Sequence, residues 1–282
     1  MLKRAKRAFI KVCHIFQRKP RKWNITLEAK ELVAQEYAGF VVLYAKDNPL
    51  MGRLTFASDL YEPEVLRVLY QELRKSSTTT FLDIGANIGL IALALLREFP
   101  DLKIEAFEAG PHQSLLLSET IKYNNLASSI CLHNVALADC NGEADFYIHF
   151  YDGVLNGGSG DGLIDTGRAG SAKKIRVPVE RLDDWWVRAG SPDVGVVKID
   201  TEGAELLILK GARRFLETCR PSLFLEIWPE NLRNYPYCAD DIFDFLIANK
   251  YQLFTLEGEI INDRQSEDLW KKSEGNYLAK HI

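Results

Sequence analysis

From Thr80 onward, short β-rich apolar runs alternate with stretches whose apolar residues recur every three to four positions. The runs are TFLDIG, KIEAFEA and SICLHNVAL, separated by NIGLIALALLREF and PHQSLLLSETIKYNN. Apolar runs of this kind suit strands buried on both faces, and the helical spacing between them supplies the crossovers, so the alternation predicts βαβ units on a parallel sheet. Further on, GVVKID (195–200) predicts a strand, the next residues a helix over about 203–218, and SLFLEIW (222–228) another strand. DDIFDFLIANK then predicts a helix, and YQLFTL and NYLAKH the closing strands. Ahead of this body, GFVVLYAK (39–46) predicts a strand and PEVLRVLYQELRK (63–75) a helix with proline in its first turn. The expected organisation is an arm over 1–22, a lead-in strand and helix over 23–75, and a main domain over 76–282.

Length and composition permit that organisation: 282 residues, 47% of them hydrophobic, can bury one main core with an appendage. The five cysteines (13, 131, 140, 219 and 238) are scattered and form no C-x-x-C pair of the kind that signals zinc or a redox dithiol, which favours a reducing, cytoplasmic setting. The longest apolar run, IGLIALALL, has nine residues. A bilayer span needs roughly 20, so a soluble body is expected.

Charge divides the chain. Residues 1–22 carry nine Lys or Arg and no acid, which leaves −13 for the rest of a chain whose total is −4. In the arm Leu2, Phe9, Val12, Cys13 and Phe16 fall near one helical face, with Lys3, Arg4, Lys6, Arg7 and Lys11 mostly around them. Peripheral contact with an anionic membrane is one use of such an arm, and a frayed, solvated terminus is the plainer one. Lysine interrupts its apolar part and no small-residue cleavage pattern follows, so no secretory signal is expected. The acidic body argues against nucleic acid as a partner, because phosphate binding needs a basic surface.

Candidate chemistry begins in FLDIGANIGL (81–90), where the first strand hands over to the first helix, the usual nucleotide position in a doubly wound sheet. A dinucleotide fingerprint reads G-x-G-x-x-G, whereas here Gly85 and Gly89 are present and Asn87 holds the middle position. Asp83, just before the turn, repels a phosphate and suits a cation. S-adenosylmethionine carries a sulfonium and an ammonium and no phosphate. The competing reading is a tight turn whose glycines serve packing alone. Glu108 closes the second strand, 23 residues after Gly85, where an acid accepts hydrogen bonds from ribose hydroxyls in NAD and S-adenosylmethionine sites alike. Asp139, just beyond the third strand, could reach an adenine amino group by position, although Asp near Asn-Gly is also ordinary turn chemistry.

The densest chemistry lies in VKIDTEGAELLILKGA (197–212). Strand alternation puts Lys198 on the face of Asp200, and Glu202 and Glu205 are three apart at a nascent helix, hence on one side of it. Asp200 or Thr201 could instead cap that helix, with the glutamates favouring its positive end. Glu226 ends the next strand, so several carboxylates collect at the carboxyl edge of the sheet, where open α/β sheets bind ligands.

Taken together, LDIGANIG, FEAGP, VKIDTEGAE with KGA after it, and RPSLFLEI resemble the FkbM-type methyltransferases, from about Tyr61 to the C-terminus. The resemblance implies an α/β, Rossmann-like class I methyltransferase fold: a seven-stranded, mostly parallel sheet with an antiparallel last strand between two helical layers. It implies S-adenosylmethionine as cofactor and O-methylation of a hydroxyl on a sugar, saccharide or other natural product. By motif position Asp83, Gly85, Ala86, Asn87 and Gly89 would line the methionine end of the cofactor and Glu108 would take its ribose. Asp200, Glu202 and Glu205, with Lys198 beside them, would face the transfer site. Ala109 departs from the F-E-P usual at this position, which touches loop rigidity more than chemistry.

In-line transfer from a sulfonium asks mainly for alignment of acceptor oxygen and methyl group, and an alcohol must also lose its proton. Asp200 or Glu202 is the candidate base; a divalent metal held by these carboxylates is a variation that no spacing demands, and His112, His133 and His149 are dispersed. Two other readings stay open: a nicotinamide-dependent oxidoreductase on a similar sheet, and a non-catalytic interaction protein that keeps the fold. The glycine-rich stretch 152–172, seven glycines in 21 residues, is expected to be a loop that either covers a small-molecule or saccharide acceptor or sits idle on the surface.

Overall fold

The computed structural model describes residues 22–27, 30–45, 60–151, 154–155, 160–167, 170–261 and 275–282. The basic arm lies outside the described residues up to residue 21, as do parts of the glycine-rich stretch.

In chain order the elements are β1 (Lys22–Leu27), β2 (Lys30–Tyr37), β3 (Phe40–Ala45), α1 (Pro63–Lys75), β4 (Thr80–Ile84), α2 (Leu90–Glu98) and β5 (Lys103–Phe107). Then come α3 (Pro111–Tyr123), β6 (Ile130–His133), β7 (Ala136–Leu137), β8 (Gly142–Tyr151), β9 (Val154–Leu155), β10 (Ser171–Glu180) and α4 (Leu182–Arg188). The chain closes with β11 (Val196–Ile199), α5 (Glu205–Lys210), α6 (Arg213–Cys219), β12 (Ser222–Glu226), α7 (Ala239–Ala248), β13 (Tyr251–Phe254) and β14 (Asn276–His281).

The central sheet has seven strands in the order β13-β14-β12-β11-β4-β5-β6. Pairing is parallel from β12 through β11, β4 and β5 to β6, and β14 runs antiparallel to both its neighbours. This is the Rossmann-like, mostly parallel architecture expected, with the antiparallel strand where it was expected.

Period-two alternation splits the core between the two faces of the sheet. Phe81, Val196 and Phe224 pack with α1, α2 and α3 on one face. Leu82, Ile84, Val197, Ile199, Leu223 and Leu225 pack with α4 to α7 on the other. The same alternation puts Asp83 and Lys198 on the α1 side. The two stand opposite each other in the β11–β4 register, beside Phe224 of β12.

The patterning missed three features, and each has a local reason. The lead-in is a three-stranded antiparallel sheet, β1-β2-β3, and not a single strand. It is fastened to α3 through Leu43 N–H to Thr120 Oγ1 at 3.0 Å and reciprocal bonds between Val41 and Asn124. The segment after β6 leaves the central sheet: β7 pairs with β10, which forms a long antiparallel ladder with β8. There Phe146, Ile148, Val177 and Val179 face a small core, while Asp145 meets Lys174 and Arg176 on the solvent side.

The helix expected over 203–218 is two helices. Gly211 follows the last residue of α5, and a side chain there would lie 2.0 Å from the Ala138 carbonyl oxygen, which accounts for the glycine. Asp183 of α4 then caps α6 from outside, accepting from the Arg214 and Phe215 amides at 3.2 and 2.8 Å. Among the described residues no helix is long and apolar enough to cross a membrane.

Candidate functional site

At the carboxyl edge of the sheet, the ends of β4, β11 and β12 bring one cation among several acids. Lys198 Nζ lies 3.0 Å from Asp200 Oδ2 and 3.7 Å from Asp83 Oδ1. Lys198 is almost fully enclosed, a placement that would depress an isolated ammonium. Although burial opposes its charge, Asp200, Asp83 and Glu62 outweigh that and raise its pKa.

Asp83 is 0% exposed and neither of its oxygens receives a hydrogen bond among the described residues. Burial pushes its carboxyl up against the pull of Lys198. Glu226 is pushed well up by burial and then by Asp200, Glu202, Glu205 and Glu62. The sequence reading missed Glu62, which stands with Tyr61 at the start of α1 over this edge. Burial and Asp200 raise its carboxyl while Lys198 opposes the rise. The Tyr61 amide donates to the Tyr37 hydroxyl at 3.1 Å, so β2 of the lead-in sheet holds this segment in place. Pro63 marks a helix start in the sequence, but only the tertiary fold says which strand edge that start covers.

Two turns frame the cluster. In the first, Gly85 and Gly89 have φ of +80° and +86°, and Asn87 has φ of +51°. A Cβ on Gly85 would lie 1.8 Å from the Asp200 carbonyl oxygen, and one on Gly89 would lie 2.5 Å from Leu117 Cδ1. Packing alone therefore explains both glycines, and any cofactor argument passes to the acids. Ala86 is buried behind the turn. Glu108, at the end of β5, accepts from Asn87 N–H at 2.8 Å and Gly110 N–H at 2.7 Å. Burial raises its carboxyl to about 7, with those two amides opposing the rise.

In the second turn Glu202 is left-handed at φ +56°, so it precedes the helix and does not share a helical face with Glu205, as the spacing had suggested. Glu205 points into its own turn. At 1% exposure its Oε1 accepts from Thr201 N–H, Thr201 Oγ1–H and Gly203 N–H at 3.1, 2.9 and 3.2 Å. Burial lifts its carboxyl to about 7 against these donors.

The described part of the glycine-rich stretch reaches this edge. Gly160 N–H donates to Glu202 Oε1 at 2.8 Å. Asp161 accepts from the His149 amide at 2.7 Å and from Gln113 at 3.3 Å, and burial raises its carboxyl to about 6. The fully enclosed His149 ring reaches Asp165 at 3.1 Å through Nε2. Asp161 and His149 carried no sequence signal as individual site residues, because neither β8, which bears His149, nor its bridge to the glycine-rich stretch that bears Asp161 was foreseen.

The structure thus gathers Asp83, Lys198, Asp200, Glu202 and Glu205, with Glu108 across the first turn. Asp139 is exposed on the turn beside Gly211. Among the described residues no hydrogen bond or ion pair joins it to Glu108 or Asp83.

Comparison with known proteins agrees with the resemblance read from the sequence. Residues 83–253 match the family described as the methyltransferase FkbM domain. Methyltransferase sdnD of Sordaria araneosa is 30% identical over 184 residues, 56% of this chain and 70% of that protein. The 2-O-methyltransferase NoeI of Sinorhizobium fredii is 28% identical over 147 residues, 49% of this chain and 59% of its own length. A crystal structure of methyltransferase FkbM from Methylobacillus flagellatus KT superposes with a TM-score of 0.45 at 17% identity, covering 72% of this chain and 44% of that one.

Proposed function

The chain belongs to the methyltransferase FkbM family, and from that premise we propose that it moves a methyl group from S-adenosylmethionine to a hydroxyl oxygen of a sugar, saccharide or other natural product. The observation that carries the reading is the carboxylate cluster around Lys198 beside the first turn. Its charge suits the cofactor: Asp83 is a buried acid that receives no hydrogen bond among the described residues, with Lys198 3.7 Å away, which leaves its oxygens able to accept from an ammonium, and the partly exposed Glu108 can accept from hydroxyls. A phosphate-bearing cofactor would meet these acids as repulsion. The residues to hold S-adenosylmethionine are Asp83 and Asn87 at its charged end and Glu108 at its ribose.

Bound there, the cofactor supplies an electrophilic methyl group on a sulfonium that becomes neutral on transfer. The residues of this chain do the rest. Asp200 ends β11 partly exposed, with Lys198 holding one oxygen, so its carboxylate is fixed in direction and can take the proton of an acceptor hydroxyl. Glu202 is the alternative base, although its Oε1 already receives the Gly160 amide. Glu205 acts at one remove, by fixing the turn that presents both. The segment 160–167 is proposed to lie over the acceptor and exclude water. Transfer to a hydroxyl oxygen is supported by the name of NoeI, a 2-O-methyltransferase, at low identity.

Isothermal titration of the full chain with S-adenosylmethionine, its demethylated product and NAD tests the cofactor. Label transfer from the methyl group to a panel of hydroxylated saccharides and small molecules tests the reaction. Binding of the first two and not of NAD is expected. No affinity for S-adenosylmethionine at millimolar concentration would end the proposal, and cofactor binding with no transfer to any hydroxyl would end its O-methyl part.

A further inference from the structure

On the opposite face of the central sheet, away from the Lys198 cluster, strand register assembles a second set of reactive side chains. Glu105 of β5 stands directly opposite Cys131 of β6, and Phe107 opposite His133. Because strands alternate, Glu105, Cys131 and His133 all project to the side where Phe107 and Trp185 pack. One ligand atom from each of the three lies within 4.8 Å of the others, and His133 Nε2 is 2.7 Å from Glu105 Oε2. Nothing in the proposed methyl transfer uses them.

We propose that Glu105, Cys131 and His133 form a binding site for a zinc-type divalent cation, with a fourth coordination position open to solvent. The donor set selects the ion. A thiolate, an imidazole and a carboxylate suit a borderline metal, whereas magnesium and calcium take oxygen donors. Three protein donors plus an open position is a coordination that zinc adopts. With metal–ligand bonds of roughly 2.0–2.3 Å, tetrahedral donors stand somewhat less than 4 Å apart, so the set needs only side-chain rotation of about 1 Å to close.

The scaffold is rigid enough to make that a small movement. Glu105 and Cys131 sit within paired strands. The His133 ring is stacked on Phe107 at 4.7 Å between centroids and meets Trp185 edge-on at 5.6 Å, which fixes its plane. Access is open as well: Cys131 is exposed, and the side chains of His133 and Glu105 are 22% and 25% exposed. Binding replaces the His133–Glu105 hydrogen bond with two metal bonds, and the Cys131 proton leaves to solvent as the sulfur becomes a ligand. The His133 carbonyl accepts the Glu108 amide at 3.0 Å, so the ion would brace the strand ends next to the first turn from behind.

Cobalt(II), added alone to the metal-free full chain, is the probe, because a cobalt–thiolate bond gives a charge-transfer absorption in the near ultraviolet. The expected result is one equivalent bound, with that band present and displaced by zinc, and with a higher melting temperature for the loaded protein. Cys131→Ser should lose the band, and His133→Gln should weaken cobalt binding at least tenfold. Cys140→Ser, outside the set, should keep both. Cys131 is exposed on an edge strand and serine is nearly isosteric, so the melting temperature of metal-free Cys131→Ser should match the parent and show that the fold is intact. A band that survives in Cys131→Ser overturns the site. So does the absence of any band at millimolar cobalt in a parent whose thiols are reduced.

Discussion

The two turns at the carboxyl edge, 84–89 after β4 and 200–205 after β11, solve the same problem with carboxylates from different places. Each sends a strand into a helix through one non-glycine residue in the left-handed region, Asn87 at φ +51° and Glu202 at φ +56°. Each is tied by a carboxylate that accepts turn amides and is lifted to about 7 by burial. In the first turn the acid is Glu108, which comes from the neighbouring strand and bridges Asn87 to Gly110. In the second it is Glu205, from the helix that follows, and its bonds stay within four residues. A bridging acid lies between segments and keeps part of its surface open to a ligand. A local acid is enclosed by the turn it closes and is spent on shape. The same residue type at the same edge therefore does different work.

The strongest way to break the comparison is to remove the charge that joins the turns. Lys198→Met would leave Asp83 enclosed with no cation, and stripping one partner from a buried ion pair costs about 3–5 kcal/mol. Urea unfolding should show that loss. The double variant Lys198→Met with Asp83→Asn removes both charges and should recover more than half of it. A single variant as stable as the parent would mean that the two turns are held independently.

A smaller effect separates the glycines. Alanine at 85 meets the backbone carbonyl of Asp200, which belongs to the second turn and cannot yield without moving it, at a φ of +80°. Alanine at 89 meets the end of the Leu117 side chain, which can rotate. Overpacking plus backbone strain sets the cost of Gly85→Ala at about 3 kcal/mol, while Gly89→Ala should cost about 1–2 kcal/mol. Equal losses in chemical denaturation would show that the turns do not touch as closely as the carbonyl contact requires.

That contact marks where sequence reasoning stops. Lys198 was legible beside Asp200 by strand alternation, Glu226 as the end of the next strand and Asp83 as part of the first turn, while the pairing of β4 with β11 that joins them came from the structure. The seven-stranded, mostly parallel sheet with its antiparallel last strand followed from the family resemblance. What stayed hidden depends on pairing across long separations. Asp161 is held by β8, through the His149 amide and the Tyr147–Gly162 bridge, and that pairing lies within a glycine-rich stretch that shows no strand pattern. Glu62 arrives because α1 packs over β4 and β11. Gly211 is a glycine because the Ala138 carbonyl, far away in sequence, fills the space a side chain would need. Glu205 was placed by its spacing on a helical side that the left-handed Glu202 does not extend.

The pH dependence of stability probes the enclosed acid. The Glu205 carboxyl stands at about 7 in the fold against the ordinary 4.5 of a free glutamate, so the folded state prefers the protonated form. Its contribution is fully present below about pH 4.5 and is lost as pH rises through 7, with a ceiling on the order of 3 kcal/mol. Glu205→Gln keeps an oxygen that can accept the three turn donors and cannot ionise. Melting temperature between pH 5 and 8 should fall less steeply in this variant than in the parent, with Glu108 and Asp161 supplying the slope that remains. An unchanged slope would place the ionisation elsewhere.

The smallest expected effect bears most directly on ligand binding. Glu108 uses one oxygen for each backbone amide, and both oxygens keep a lone pair for a hydroxyl donor. Glutamine at 108 would turn an amide donor toward one of those N–H groups and lose an acceptor for the ribose. Its affinity for S-adenosylmethionine should drop about tenfold, or about 1.4 kcal/mol, while Glu205→Gln should stay within about twofold of the parent. With the Glu108 carboxyl at about 7, the ionised acceptor that hydroxyls prefer is the minor form near pH 6 and the major form near pH 8. Cofactor affinity in the parent should therefore tighten from pH 6 to pH 8, and Glu108→Gln should flatten that rise where Glu205→Gln does not. Titration calorimetry at the two pH values separates the outcomes. If Glu205→Gln flattened the rise instead, the division between a bridging acid that meets the ligand and a local acid that only shapes the turn would be reversed.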